Sequence, residues 1–234
     1  MRGLLEEKGL YGGVMKTNNT PQGIPRNVEA MLAVAGLIGF LPLLVIVATA
    51  IKITSPGPVL FRQRRVGVGG ESFTLLKFRT MKFQQTGLLI TAANDRRITW
   101  LGRTLRKMKL DELPELWNVA RGDMSFVGPR PEVLALVNLE NPLWQEILLV
   151  RPGITDPVTL KLRNEESLLA KVADKEAYYR DILQPYKMNG YVKFVRRKSW
   201  KSDVKIVCQT VKAVVLPQTA PLPTKEEISW SFAE

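Results

Sequence analysis

The uncharged stretch AMLAVAGLIGFLPLLVIVATAI, Ala30 to Ile51, constrains this chain more than any other feature. Its 22 residues would make a helix of about 33 Å, enough to cross a hydrocarbon core of roughly 30 Å. The simplest reading is therefore a transmembrane helix. A signal peptide fits less well. Ala48-Thr49-Ala50 is an A-x-A, but the run exceeds the usual ~7–15 apolar residues of a signal and starts far from the N-terminus. Pro42 complicates the simple reading, because it removes a backbone donor, clashes with the carbonyl four residues back and so kinks the helix. The limb from Ala30 to Leu41 would be about 18 Å long and the limb after it about 14 Å, each near half a bilayer. Lys16 and Arg26 precede the run, and Lys52, Arg62, Arg64 and Arg65 follow it. Positive charge favours the cytoplasmic side. A re-entrant helix bent at Pro42 keeps both basic ends on one face, whereas a kinked spanning helix, in which proline is tolerated, puts one outside. On the residues alone both stay open.

The rest of the composition narrows the chemistry. With 34 Lys and Arg against 22 Asp and Glu, the net charge is +12, which favours an anionic partner: nucleic acid, anionic lipid or a phosphorylated substrate. Cys208 is the only cysteine, so no intrachain disulfide forms and a reducing compartment fits. The chain has no histidine. That excludes Ser-His-Asp and Cys-His catalysis and every His-ligated metal site, leaving carboxylates, lysine, hydroxyls and one thiol.

Thr54 to Pro58, TSPGP, breaks the chain after the apolar run. VLFRQRRVG and ESFTLLKFRT then flank Gly69-Gly70 and predict a β-hairpin. GVGG lacks a following Lys-Ser/Thr and reads as a turn, not a phosphate loop. Ile98, Leu101, Leu105 and Met108 form an apolar stripe at helical spacing. A second helix is expected to begin near Asp111, with Leu113, Leu116, Trp117 and Ala120 on one face and Gly122 at its end. Pro114 in its first turn is no obstacle. EAYYRDILQPYK and SDVKIVCQTVKAVV also read as helices, the latter with Val204, Val207, Cys208, Val211 and Val215 on one face. Phe194 to Lys201, FVRRKSWK, mixes basic and aromatic residues, which suits a membrane interface better than nucleic acid given the apolar run upstream. From Pro217 onward the chain reads as a solvated tail.

Asp111 and Glu112 lie between these helices. Asp is a preferred N-cap and a Glu in the first turn complements the helix dipole, so structural capping is one reading. Their company suggests another. A helix N-terminus that accepts a cap also accepts a phosphate, and a carboxylate held there stays ionised. Arg106 and Lys107 can face the same helix end if the chain turns sharply at Lys109-Leu110. The prolines of GPRP fix the backbone on either side of Arg130, and a rigid guanidinium loses little entropy in clamping an anion. Together these groups suggest phosphoryl chemistry: one acid attacks, the other holds a divalent cation, and the arginines neutralise phosphate. Oxygen ligands without His or thiolate favour Mg2+.

TSPGPVLFRQRRVG, LLKFRTM, NDRRIT, LGRTLRKMKLDELPELWNVARGDMSFVGPRP and RPGIT, in this order, resemble the bacterial sugar transferase family, the small monotopic polyprenyl-phosphate phosphoglycosyl transferases. The resemblance covers roughly Glu29 to Leu216. It implies transfer of a sugar 1-phosphate from a UDP-sugar to polyprenyl (undecaprenyl) phosphate with release of UMP, the first step of a membrane-linked glycan. It also implies Asp111 as the nucleophile that carries a covalent phosphosugar, Glu112 as the Mg2+-binding acid, and Arg106 and Arg130 as phosphate contacts. Lys107, and Lys77 and Arg79 of LLKFRTM, are further candidates for phosphate or substrate binding. The family's re-entrant helix breaks at a proline, here Pro42. This sequence departs from the pattern at Leu41-Pro42, where Ser-Pro is usual, at Arg64, where an acid is common, and at DPVTL after RPGIT.

The expected architecture is mainly α with a small β-hairpin (α+β), a monotopic membrane protein with a proline-broken re-entrant helix and interfacial amphipathic helices. Its parts would be an N-terminal segment (1–28), a re-entrant membrane helix (29–52), a cytoplasmic catalytic domain at the membrane interface (53–216) and a C-terminal tail (217–234). The expected partners are a UDP-sugar, polyprenyl phosphate and an anionic lipid surface, with a homodimer possible and no nucleic acid. The expected location is the cytoplasmic face of the bacterial inner membrane. The rival readings are a membrane-tethered Mg-dependent phosphohydrolase using the same acids, and a non-catalytic basic membrane adaptor needing only the charge.

Overall fold

The computed structural model describes residues 23–83 and 91–216. The segment up to residue 22, Lys16 included, and the tail from 217 lie outside the described residues. The apolar run forms two helices, α1 (Arg26–Gly39) and α2 (Leu41–Thr54), bent by 61° at Phe40. Pro42 sits in the first turn of α2, where its missing N–H costs no intrahelical bond. Among the described residues no single helix is long and apolar enough to cross a membrane; the bent pair passes that test only together. The outer faces of both helices leave Met31, Leu32, Ile38, Leu41, Ile46 and Ile53 exposed. The inner faces are docked on the body of the protein. Ala33 is buried with Leu75, Val119 and Met124, and Val47 and Ile51 with Phe78 and Leu105. At the N-terminal end, buried Glu29 accepts hydrogen bonds from the Phe126 backbone N–H (3.0 Å) and Ser125 Oγ (3.1 Å).

The expected hairpin is present: β1 (Leu60–Val66) pairs antiparallel with β2 (Ser72–Phe78), joined by a short 3-10 turn over Val68–Gly70. Next come α3 (Trp100–Lys107), a 3-10 turn over Leu110–Glu112 and α4 (Glu115–Arg121). Leu105 and Ile98 of the first apolar stripe are buried as expected, but Met108 is exposed. Gly122 ends α4 at φ 93°, a left-handed position that glycine takes without steric cost. Then follow β3 (Ser125–Val127), α5 (Pro142–Ile147), β4 (Gly153–Thr155), α6 (Pro157–Lys161), α7 (Glu165–Leu169), α8 (Lys175–Tyr178), α9 (Gln184–Arg197) and α10 (Trp200–Val215).

Strands β3 and β4 were not anticipated. They pair in parallel, Ser125 with Gly153 and Val127 with Thr155, and so bring GPRP against RPGIT. The approach is close. A Cβ on Gly153 would collide with the Gly128 backbone, and one on Gly128 with the Arg151 carbonyl. Between α8 and α9, Tyr179–Leu183 forms a π-type turn. Such a bulge lets a helix run on past a proline, here Pro185, that cannot donate to the preceding turn.

One expectation about the C-terminal third is corrected. FVRRKSWK is not wholly a lipid-facing surface: Phe194 and Val195 lie in the core, and Lys198 is spent on the Val127 carbonyl (2.7 Å) and Asp203 (2.8 Å). On α10 the buried positions are Asp203 and Ile206, while Val204, Val211 and Val215 of the expected stripe are exposed. The polar contacts of Asp203 with Lys198 and the Ile24 N–H turn that face inward.

Candidate active site

The site forms where α3, α4, β2 and the segment after β3 converge. Its pivot is Lys109, the one described non-glycine residue with positive φ, at 58°. Side chains other than glycine rarely adopt this region. The turn brings the end of α3 and the start of α4 together, as the expected sharp bend required. A second close contact fixes α3 itself: a Cβ on Gly102 would strike the Thr80 carbonyl.

Asp111 does not cap a helix. The 3-10 turn places it ahead of α4, whose own N-cap is Pro114 with no side-chain cap bond. The Asp111 carboxylate is instead buried, and Oδ1 has no hydrogen-bond partner among the described residues. The expected capping geometry is therefore absent. Burial, and next the Glu112 charge, raise its pKa above the ordinary 3.8, opposed by Lys77, Lys109 and Arg106. A buried carboxylate oxygen without a partner costs stability, and a strongly perturbed buried acid is a candidate for chemistry.

Glu112 is the opposite case. Its Oε1 is gripped by the Arg130 guanidinium and by Lys77 Nζ at 3.2 Å. Burial alone would push its pKa up, but Arg130, Lys77 and Lys109 override that and hold it well below the carboxylate range. Glu112 in turn raises the Arg130 pKa despite burial. Lys77, on β2, also pairs with Glu115 at 3.0 Å, so one ammonium serves two carboxylates. Glu115, buried on the first turn of α4, is a neighbour of the site that the sequence reading does not single out. The available signal was its place three residues after Glu112, which sets both on one side of the turn.

Of the other expected residues, Arg106 is tethered through Nε to Thr80 Oγ1 (2.9 Å) and through a terminal nitrogen to Glu166 Oε1 (2.8 Å). Lys107 is exposed at the end of α3, outside this group. Arg79 is buried, with two donors on the Ser55 and Pro56 carbonyls just past α2. Its described contacts tie the apolar helices to β2, and Gly57 leaves the space its guanidinium fills. Pro42 lies in the bent helix pair, apart from the acids.

No group of three or more metal-ligating side chains occurs among the described residues. A Mg2+ ion needs fewer, because it takes one or two carboxylates plus substrate phosphates and water. Asp111 Oδ1, buried and unpartnered beside Glu112, fits that donor set.

Sequence comparison places the chain in a family. The bacterial sugar transferase family model matches residues 21–217, and the chain belongs to that family. A UDP-glucose:undecaprenyl-phosphate glucose-1-phosphate transferase of Caulobacter vibrioides is 38% identical over 187 residues, 77% of this chain and 66% of that protein. A UDP-N-acetylgalactosamine-undecaprenyl-phosphate N-acetylgalactosaminephosphotransferase of Aeromonas hydrophila is 42% identical over 137 residues, 56% of this chain and 32% of that protein. The exopolysaccharide production protein ExoY of Sinorhizobium fredii is 31% identical over 208 residues, covering 82% of this chain and 85% of that one. The chain thus spans about a third of the Aeromonas relative and just under two thirds of the Caulobacter one.

Proposed function

We propose that this chain transfers a sugar 1-phosphate from a UDP-sugar to polyprenyl phosphate, with Asp111 carrying the phosphosugar between the two steps. The observation that carries the reading is the buried Asp111 carboxylate with an unpartnered oxygen, under the positive influence of Lys77, Lys109 and Arg106. The relatives' named reactions, sugar-1-phosphate transfer to undecaprenyl phosphate, support the same chemistry.

In the first step an Asp111 oxygen attacks the phosphorus that bears the sugar. The bond from that phosphorus to the bridging oxygen breaks, and UMP leaves with the electron pair. In the second step an oxygen of polyprenyl phosphate attacks the same phosphorus. The bond to Asp111 breaks, the carboxylate is restored, and a polyprenyl diphosphate sugar departs. A raised pKa makes Asp111 a stronger nucleophile once ionised. Lys77, Lys109 and Arg106 favour the ionised form. Arg130, held on Glu112, presents a planar fork to phosphate oxygens. Mg2+, when bound by Glu112 and the donor diphosphate, would offset phosphate charge.

The bent pair α1–α2 reads as a re-entrant anchor that enters and leaves on the cytoplasmic face of the bacterial inner membrane. Its exposed apolar faces, the outward valines of α10, and the exposed indoles of Trp100, Trp117 and Trp200 are the side chains an interface would take up. That depth suits an enzyme that meets a soluble nucleotide sugar and a lipid phosphate.

Full-length protein in membranes, given polyprenyl phosphate and a panel of UDP-sugars, should release UMP with at least one donor. Release of free sugar phosphate without lipid product would instead indicate a hydrolase. Arg130→Lys should keep the charge but lose the fork. Hydrogen bonds to charged groups are worth about 1.5–3 kcal/mol, so kcat/KM for the donor should fall roughly tenfold to a hundredfold.

A further inference from the structure

We infer that Glu166 is a resident anion on Arg106 that the donor's phosphates must displace, which makes it a determinant of donor affinity. This rests on the reading of Arg106 as a phosphate contact. Glu166 belongs to α7, beyond the point where the chain departs from the family pattern, and reaches Arg106 across 60 residues of sequence at 2.8 Å. The two adjacent acids of α7 face different ways. Glu165 pairs with buried Lys187 at 3.4 Å, while the Glu166 side chain is 44% exposed. The Ala93 N–H bonds the Glu166 carbonyl at 2.9 Å and holds the backbone in place. Arg106 does not need Glu166 to keep its aim, because its Nε is held separately by Thr80.

Magnitudes favour exchange. An ion pair with one partner this exposed contributes about 0.2–1 kcal/mol, whereas a diphosphate offers more charge and more acceptors to the same guanidinium. Glu166 therefore competes with the donor. Its departure would free one edge of α7 while Glu165 keeps α7 fastened to the core.

The test is the affinity of UDP for the full chain in nanodiscs, measured by calorimetry. Glu166→Gln should tighten UDP binding about two- to fivefold, the range such an ion pair allows. Arg106→Gln should weaken binding, and adding Glu166→Gln to it should then change nothing. Unchanged or weaker binding in Glu166→Gln alone would overturn the inference, and would instead make Glu166 a support for Arg106. So would equal tightening without Arg106, which would be a general charge effect. Failure of the wild type to bind UDP also overturns it. The Asp111 reading is separate, because it is judged by formation of a covalent adduct.

Discussion

Asp111→Asn is expected to abolish turnover and, at the same time, to raise thermal stability. The two effects share one cause. At neutral pH the folded state buries a carboxylate whose Oδ1 has no hydrogen-bond partner, with Glu112 next to it. A carboxyl whose pKa is raised on folding destabilises the protein once pH exceeds its unfolded value, and an amide removes that charge at little change in shape. A gain of about 1 kcal/mol would lift Tm by roughly 2–4 °C in a chain of this size. Calorimetry beside a UMP-release assay checks both halves. A variant that loses activity and also loses several degrees would show that Asp111 is structural. One that retains product formation would remove it from the chemistry.

Lys187→Met should be the most destabilising single change outside the site. Lys187 is buried, with Nζ 3.2 Å from Glu132, 3.4 Å from Glu165 and 3.0 Å from the Tyr179 hydroxyl. The Tyr179 hydroxyl also donates to Glu132. Glu132 lies two residues after Arg130, and Arg65 secures the residue between them through the Pro131 carbonyl at 3.0 Å. The network therefore fixes the segment that presents Arg130. Removing its ammonium leaves buried carboxylates short of counter-charge, which typically costs about 3–5 kcal/mol. That corresponds to a fall in Tm of roughly 6–20 °C.

The pH dependence of that deficit has a definite sign. Burial would raise the Glu132 pKa, but Lys187 and Arg65 bring it below the ordinary 4.5. Burial would lower Lys187, but Glu165 and Glu132 lift it well above 10.5. The Glu132 contribution is thus present above about pH 4.5 and lost as pH falls through its lower folded value. The Lys187 contribution is present below about pH 10.5 and lost only as pH rises through its higher one. Unfolding curves of wild type and variant should be furthest apart between these limits and converge in acid. A constant difference at every pH would mean lost packing volume, not lost charge.

Local signals in the sequence account for much of this architecture. The hairpin was legible because Gly69-Gly70 separates two alternating runs, α4 because of its periodicity and Gly122, and the break in the apolar run because of Pro42. Asp111, Glu112, Arg106 and Arg130 were legible as a group because the order of the motifs marked them. Their arrangement was less so. Nothing in the one-letter code shows that Lys109 adopts a left-handed turn, and that turn removes Asp111 from the cap position its residue type suggested. Strands β3 and β4, three residues each, are too short for alternation to register, and they exist because two glycines let distant segments touch. The network around Lys187 joins residues 22 and 55 positions apart, beyond the reach of any local pattern. Arg79 is a candidate phosphate contact only through the LLKFRTM motif, and no local pattern foretells that two of its donors go to the Ser55 and Pro56 carbonyls.

The central claim is that Asp111 carries the phosphosugar covalently. Intact-mass analysis of the full chain, after incubation with a turned-over UDP-sugar and no lipid acceptor, tests it most directly. The account predicts a species heavier by one phosphosugar, lost on addition of polyprenyl phosphate and absent in Asp111→Asn. UMP release that strictly requires the acceptor, with no adduct at any time, would contradict it.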